Sequence, residues 1–192
     1  MNDQGQTICL CMIVKDAAAV IRRCLDSVRG IVDHWVIVDT GSTHATREVI
    51  REHLKSLKGS LHERRWRNFA HNRSEVLALA RGHGDYSLII DADDVLEIPA
   101  GFRLPELATD SYSLDIYHAG IVFRRPQPVR NSLPFSYEGV LHEFLTCEGA
   151  QGNGHLPLRI RMGHDGARRR DPETYRHDAA ILVCALRRQA AA

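Results

Sequence analysis

Apolar and polar positions in the first hundred residues follow two alternating patterns. Near-continuous apolar runs occupy Ile8–Val14 (ICLCMIV), His34–Asp39 (HWVIVD) and Tyr86–Ile90 (YSLII), the pattern of strands covered on both faces of a parallel sheet. Between these runs, apolar residues recur at helical spacing. Val20, Ile21, Cys24, Leu25 and Val28 form one stripe, and Val49, Ile50, His53, Leu54 and Leu57 a second. Val76, Leu77 and Ala80 form a third, within a helix predicted from about Phe69 to Arg81. Turn residues set the bounds: Asp16 is the expected first N-cap, Gly30 lies just past that helix, the second helix stops near Gly59 and the third at Gly82. A short segment, LHERRW, separates the second and third helices. Strands alternating with helices imply right-handed crossovers and a mostly parallel α/β sheet, with ligands at the carboxyl ends of its strands.

Beyond Pro99 the period changes. SYSLDIY and GIVFRR read as short strands in a hairpin around HAG, while GVLHEFLTC and LPLRIRM alternate apolar and polar residues, so antiparallel pairing is expected there. DPETYRHDAAILVCALRR predicts a terminal helix, with Asp171 as N-cap and Pro172 at its first position. The apolar side of that helix, Ala179, Ile181, Leu182, Ala185 and Leu186, needs a covering surface; docking on the sheet and a homodimer contact are both open.

At 192 residues and 44% hydrophobic content the chain suits a single globular domain spanning 1–192. A net charge of +1 gives no global field for nucleic acid, so charge-based function must be local. No apolar run approaches the ~20 residues of a transmembrane helix, and MNDQGQT lacks the basic and apolar parts of a signal peptide, which predicts a cytoplasmic protein. The five cysteines include no C-x-x-C and sit mostly in apolar periodic segments, as small reduced hydrophobes.

One feature of the pattern asks for chemistry. In SLIIDADDVLEI a buried strand ends in Asp91, Asp93 and Asp94, a cluster that raises its own pKa values unless a positive charge is present. Oxygen-rich sites with few His or Cys neighbours suit Mg2+ or Mn2+, completed by water and substrate phosphates. The competing reading is a turn or helix cap, a common use of Asp. Asp39 also ends a strand, and in a parallel sheet it opens on the same crevice.

The strings MIVKDAAAVIRRCLDSV, WVIVDTGSTHATREVI and WRNFAHNRSEVLALARGHGDYSLIIDADDVLEIP resemble, in order and spacing, family 2 glycosyltransferases. They are closest to the subgroup with IVKNE and VDTGSTD motifs, often fused to tetratricopeptide repeats. The resemblance covers roughly residues 7–100, the expected nucleotide-sugar-binding half, leaving about 101–192 as the acceptor and catalytic half. It implies a GT-A fold: a Rossmann-like, mostly parallel central sheet flanked by helices, with a smaller antiparallel C-terminal part and a terminal helix. It further implies a nucleotide-sugar donor, a UDP-sugar foremost, a divalent Mn2+ or Mg2+, and inversion at the anomeric carbon. Carried over, Asp39 reads the base or ribose, Thr40, Gly41 and Ser42 form the turn beside it, and Arg73, Asp91 and Ala92 complete the donor site. Asp91 and Asp93 are the D-x-D pair on the metal. Where the subgroup has GSTD this chain has GSTH, so His44 removes a favourable negative charge from a helix N-terminus, worth roughly 0.3–1 kcal/mol.

An inverting transfer needs a general base near the acceptor hydroxyl. YEGVLHEF supplies Glu138, His142 and Glu143. Glu143 is favoured, with His142 and Glu138 as alternatives; on an intact strand His142 and Glu143 would face opposite ways. His164 is in sequence position for a third metal ligand, and ARRR (Ala167–Arg170) offers guanidinium groups for a diphosphate or an anionic acceptor. Trp35 and Trp66 are read as packing residues. The acceptor stays open among polysaccharide, lipid-linked glycan and peptide. Competing readings are a nucleotidyltransferase, disfavoured because CMIVKDAAA has no glycine, and a degenerate nucleotide-binding domain without transfer. A P-loop NTPase is excluded by the absence of G-x-x-x-x-G-K-[ST].

Overall fold

The three apolar runs become neighbouring strands. A computed structural model describes residues 1–166 and 171–189. In chain order these residues form β1 (Ile8–Val14), α1 (Ile21–Val28), β2 (His34–Asp39), α2 (Thr46–His53), β3 (Lys58–Glu63), α3 (Phe69–Ala80), β4 (Tyr86–Ile89), β5 (Val95–Glu97), β6 (Ser111–His118), β7 (Ile121–Arg130), β8 (Ser136–Glu138), β9 (Phe144–Thr146), β10 (Asn153–Arg161) and α4 (Thr174–Gln189). Eight strands make one sheet in the order β3-β2-β1-β4-β7-β6-β10-β5, and β8 and β9 pair separately as an antiparallel ribbon. The β3-β2-β1-β4 half is parallel throughout, β7 is antiparallel to both β4 and β6, and β10 is parallel to β6 but antiparallel to β5. The architecture is the mostly parallel α/β arrangement expected of a GT-A fold.

β1 and β4 read as continuous apolar runs because both of their faces are covered. Ile8, Leu10, Met12, Trp35, Ile37, Leu88 and Ile90 pack with Ile21, Cys24, Leu25 and Val28 of α1 and Val49 and Ile50 of α2. Cys9, Cys11, Val36, Val38 and Ile89 pack on the opposite face against Val76, Leu77 and Ala80 of α3. Each fully buried aliphatic side chain stabilises such a core by about 1.5–3 kcal/mol. All five cysteines are free, and Cys9, Cys11 and Cys24 are buried as small hydrophobes.

Several local expectations are corrected. Asp16 does not cap α1: the helix starts at Ile21 behind Val20, which provides no side-chain cap. Asp16 instead adopts φ 49°, and its carboxylate accepts from the Thr43 amide at 2.8 Å. Its own amide donates to Ser42 Oγ at 2.9 Å, and the Ala17 amide to Thr46 Oγ1 at 2.9 Å, so the loops after β1 and β2 are knitted together. Gly59 does not end a helix; α2 ends at His53, and Gly59 lies in β3 because the Trp35 ring crosses the strand there, 2.3 Å from where a Cβ would sit. Trp35 is itself buried, its Nε1 donating to Leu57 O.

GVLHEFLTC is not a continuous strand. Only Phe144–Thr146 pairs, with β8, because His142 takes φ 56° and breaks the extended chain. LPLRIRM, in β10, pairs parallel on one side, since the β8–β9 ribbon returns the chain to the end of the sheet where β6 began. Asp171 and Pro172 do not open the terminal helix: α4 starts at Thr174, after Glu173, whose carbonyl accepts from the His177 amide, and the Asp171 carboxylate accepts from the Glu173 amide at 2.9 Å in the turn ahead of it. The α4 stripe meets no continuous covering surface among the described residues: Ile181 and Ala185 are half-buried, and Ala179, Leu182 and Leu186 are exposed. No helix among the described residues is long and apolar enough to cross a membrane.

At the amino-terminal end of β2, His34 stacks on His83 with centroids 4.5 Å apart and planes 5° from parallel. Burial, followed by the charges of His83 and Lys58, holds the His34 pKa below the ordinary 6.5. The native state therefore binds this proton less tightly than the unfolded chain, and stability is lost as pH falls below the unfolded value. Urea midpoints of the wild type should decline between about pH 7 and about pH 5, and His34→Gln should flatten that decline. Identical slopes in the two proteins would remove the stacked pair as the cause.

Candidate functional site

Register brings the strand ends together. Val14 pairs with Asp39 across β1–β2, and Cys11 pairs with Ile89 across β1–β4, so Asp39 and the acidic turn after β4 open on one crevice. Asp39 is 1% exposed. Its Oδ1 accepts from the amides of Gly41 at 3.0 Å and Ser42 at 2.9 Å, in a turn that needs Gly41 at φ 107°. Arg47 Nη1 stands 3.9 Å from the same oxygen. Thr40 anchors the turn through its hydroxyl, which donates to Val14 O at 3.0 Å. Asp39 Oδ2 is buried with no hydrogen-bond partner, and an orphaned buried acceptor is costly unless a ligand supplies the donor.

At the acidic turn, helix α1 provides the floor. Arg23 donates to the Asp93 carbonyl at 2.9 Å and forms a two-pronged ion pair with Asp165. The Cys24 thiol lies 3.3 Å from Asp91 O, and Ser27 Oγ accepts from the Leu96 amide at 3.0 Å. Residues 163–166 pass directly over the turn. A Cβ at Gly163 would stand 2.1 Å from the Asp93 carbonyl oxygen, so this position demands glycine. Asp94 is buried, its Oδ1 accepting from the Gly163 amide at 2.9 Å while Oδ2 has no partner. Burial and the neighbouring Asp91 charge push its carboxyl up to about 7. Asp93 is raised by the same two causes, opposed by backbone amides including that of Gly166.

Arg73, from α3, ties the halves of the chain together. Its Nη2 donates to Asp91 Oδ1 at 2.6 Å and its Nε to Glu143 Oε1 at 2.8 Å, while its guanidinium lies over the Tyr137 ring at 5.7 Å. Burial alone would lower the Arg73 pKa, but Asp91, Tyr137 and Glu143 outweigh it and hold it above its usual value. Burial likewise works to raise Asp91, and the Arg73 and Arg125 charges bring it below the ordinary carboxylate range. Tyr137 is pushed up to about 12 by burial. These groups, with Arg125 and Gln127, line a cavity of about 230 Å³.

The sequence-derived candidates separate into two groups. Asp39, Thr40, Gly41, Ser42, Arg73, Asp91, Asp93 and Glu143 lie along the crevice. Ala92 is half-buried, packed against the core beneath the turn. Glu138 and His142 are exposed, and neither side chain joins the Arg73 network. His164 is exposed, its ring 5.0 Å from that of His118. Ala167–Arg170 lie outside the described residues. Trp66 packs edge-on against Phe69. Arg23, Arg125, Gln127 and Tyr137 were missed, because each acts through a partner distant in sequence, whereas Asp94 was part of the acidic cluster read from the sequence.

Residues 9–171 match the family model described as glycosyl transferase family 2. The chain belongs to that family. A TPR repeat-containing protein of Synechococcus elongatus is 38% identical over 97 residues, which is 50% of this chain and 23% of that relative. The chain therefore spans about a quarter of the curated relative's length. Among solved structures, S. aureus TarS 1-349 with UDP shares 17% identity, covering 47% of this chain and 28% of TarS, at TM-score 0.42. Glucosyl-3-phosphoglycerate synthase from Mycobacterium tuberculosis, with Mn2+, UDP and phosphoglyceric acid, shares 20% identity over 48% of this chain and 34% of that one, at TM-score 0.40.

Does this family 2 site fit a divalent cation? Among the described residues no group of three or more His, Cys, Asp or Glu side chains forms a ready cage, so Asp91, Asp93 and His164 do not make a preformed three-ligand cluster. A hard cation held by one or two carboxylates and completed by water and phosphate oxygens needs no such cage. The donor set is all oxygen, Asp93 carries a raised pKa, and Asp94 Oδ2 is orphaned, so the residues fit the cation.

Removing Arg73 would leave two half-buried carboxylates without their countercharge, a loss of about 3 kcal/mol for a pair of this kind. Urea unfolding of Arg73→Ala should show that loss, and adding Asp91→Asn and Glu143→Gln should restore most of it. If Arg73→Ala unfolds like the parent, the network does not hold the halves together.

Proposed function

We propose that this family 2 chain is a metal-dependent, inverting glycosyltransferase that moves a sugar from a nucleotide sugar, a UDP-sugar foremost, to an acceptor hydroxyl. The observation that carries the reading is the buried, unpartnered Asp39 Oδ2 opening on the same crevice as Asp91 and Asp93. A base N–H or ribose hydroxyl supplies the donor that this oxygen lacks, and the Gly41 turn lets the nucleotide approach the backbone. Asp91 and Asp93 would hold the divalent cation, which when bound neutralises charge on the departing nucleoside diphosphate.

Glu143 is the group we assign as base. Its Oε1 is held by Arg73, leaving Oε2 to take the acceptor proton. The acceptor oxygen then attacks the anomeric carbon opposite the leaving diphosphate, and the configuration inverts. Arg73 fixes Glu143 relative to Asp91, so base and leaving-group site keep a constant separation. A second reading, nucleotide binding without transfer, draws on the same ion pair, because a carboxylate engaged by a guanidinium is a restrained base. Release of nucleoside diphosphate from a donor sugar, lost in Glu143→Gln, separates the two.

A thermal-shift panel of UDP, GDP, CMP and dTDP, each with Mn2+ or EDTA, tests donor binding directly. At about 100 times its Kd the correct nucleotide stabilises the fold by ~2.7 kcal/mol. Asp93→Ala should lose the Mn2+-dependent part and keep the unliganded melting temperature. Asp39→Asn should weaken every responding nucleotide by about tenfold, in line with loss of a hydrogen bond to a charged group. A full response in Asp93→Ala would refute the assigned metal site.

A further inference from the structure

We infer that Arg125 forms a subsite for an oxyanion, a carboxylate or phosphate, carried by the acceptor, so that the sugar is transferred to an acidic molecule. The inference rests on the glycosyl-transfer reading and names its substrate class. Arg125 is half-buried on β7 and faces the cavity that also holds Arg73, Asp91 and Glu143. Two cations and two anions meet there, but their pairing is uneven. Arg73 takes both carboxylates, at 2.6 and 2.8 Å. Among the described residues Arg125 forms no ion pair.

What holds Arg125 is a neutral group. With the buried Gln127 amide oriented to satisfy both of its ends, its oxygen accepts from Arg125 Nη2 at 2.7 Å and Nε at 2.8 Å, and its nitrogen donates to the Ile89 carbonyl. The guanidinium is thereby aimed, and although the Asp91 charge acts on it from across the strands, no carboxylate among the described residues pairs with it directly. A planar cation fixed in this way recognises the paired oxygens of a carboxylate or phosphate.

Position identifies which substrate brings the anion. Leu88 pairs with Pro128 across β4–β7, and continuing that antiparallel register sets Arg125 alongside Asp91. The order β2-β1-β4-β7 puts Arg125 three strands from Asp39, roughly 14 Å at the usual strand spacing, on the side of Asp91 away from the nucleotide turn. Glu143, the assigned base, lines the same cavity. At about 230 Å³ the cavity is smaller than a whole-ligand pocket, so it takes one acidic group of the acceptor.

The test titrates inorganic phosphate, glucuronate and glucose into the wild type, Arg125→Gln, Arg125→Lys and Gln127→Glu, at fixed ionic strength, with and without UDP and Mn2+. Calorimetry should show phosphate or glucuronate binding to the wild type and no glucose binding. Arg125→Gln should weaken the anion at least tenfold, and Arg125→Lys should lie between. Gln127→Glu keeps the cation but supplies an internal carboxylate, and should weaken the anion as Arg125→Gln does. Equal anion binding in the wild type and in folded Arg125→Gln or Gln127→Glu overturns the subsite. Loss of the UDP–Mn2+ response in Arg125→Gln, with anion binding intact, assigns Arg125 to the donor diphosphate and overturns the acceptor role. A wild type that binds anions through Arg125 but never responds to any nucleotide refutes the transfer reading while upholding the anion site.

Discussion

The site depends on one guanidinium. Asp91, Asp93, Asp94 and Glu143 bring four carboxylates to a partly buried crevice, and such a cluster resists folding unless cations offset it. Arg73 supplies the offset at the point where it matters most, because it spans from the end of β4 to the chain beyond β8 in two short hydrogen bonds. Those bonds join residues 18 and 70 positions apart, so the first half of the chain and the later half meet at one buried guanidinium. The helix below supports it: Ser74, next in sequence, accepts from the Tyr137 amide at 2.8 Å and fixes the ring over which Arg73 lies.

The remaining acidic groups are handled by the backbone. Arg23, Cys24 and Ser27 line up on α1 beneath residues 91–96, and the Gly163 amide reaches Asp94 from above. This division leaves Asp93 and Asp94 with raised pKa values while Asp91 is lowered. With Asp91 already countered by Arg73, Asp93 and Asp94 are the carboxylates of this turn to which the protein supplies least countercharge, so a cation of the proposed kind, reaching from Asp91 to Asp93, would gain most on the Asp93 side.

What the sequence could disclose follows from range. β1, β2 and β4 were legible because burial on both faces writes itself as an unbroken apolar run, and Asp39 and Asp91 were legible because they end those runs. Asp16 was misread because an Asp ahead of a helical stripe normally caps it, whereas here a tertiary bond to Thr43 takes the carboxylate. β3 was cut short by Gly59, whose role depends on a Trp35 ring 24 positions earlier in the chain. The break at His142 left no local signal either: LHEFL alternates as a strand should, and only its positive φ turns Glu143 out of that pattern and toward Arg73.

Arg125 was invisible for a topological reason. In a parallel sheet chemistry collects at the carboxyl ends of strands, so a reader looks at the residue after each apolar run. β7 runs the other way beside β4, and the crevice therefore meets its first half rather than its end. The exposed residues Ile121, Val122 and Phe123 precede Arg125, and the buried Gln127 and Val129 follow it. The strand thus enters the sheet at the crevice and sinks into the core beyond it, so a cation placed at the crossing point is held from below and open above. The parallel half orders the crevice from Asp39 to Asp91, and the antiparallel strand extends that line with a positive charge. An acceptor that completed the line with an acid would pair directly with Arg125, which forms no ion pair among the described residues.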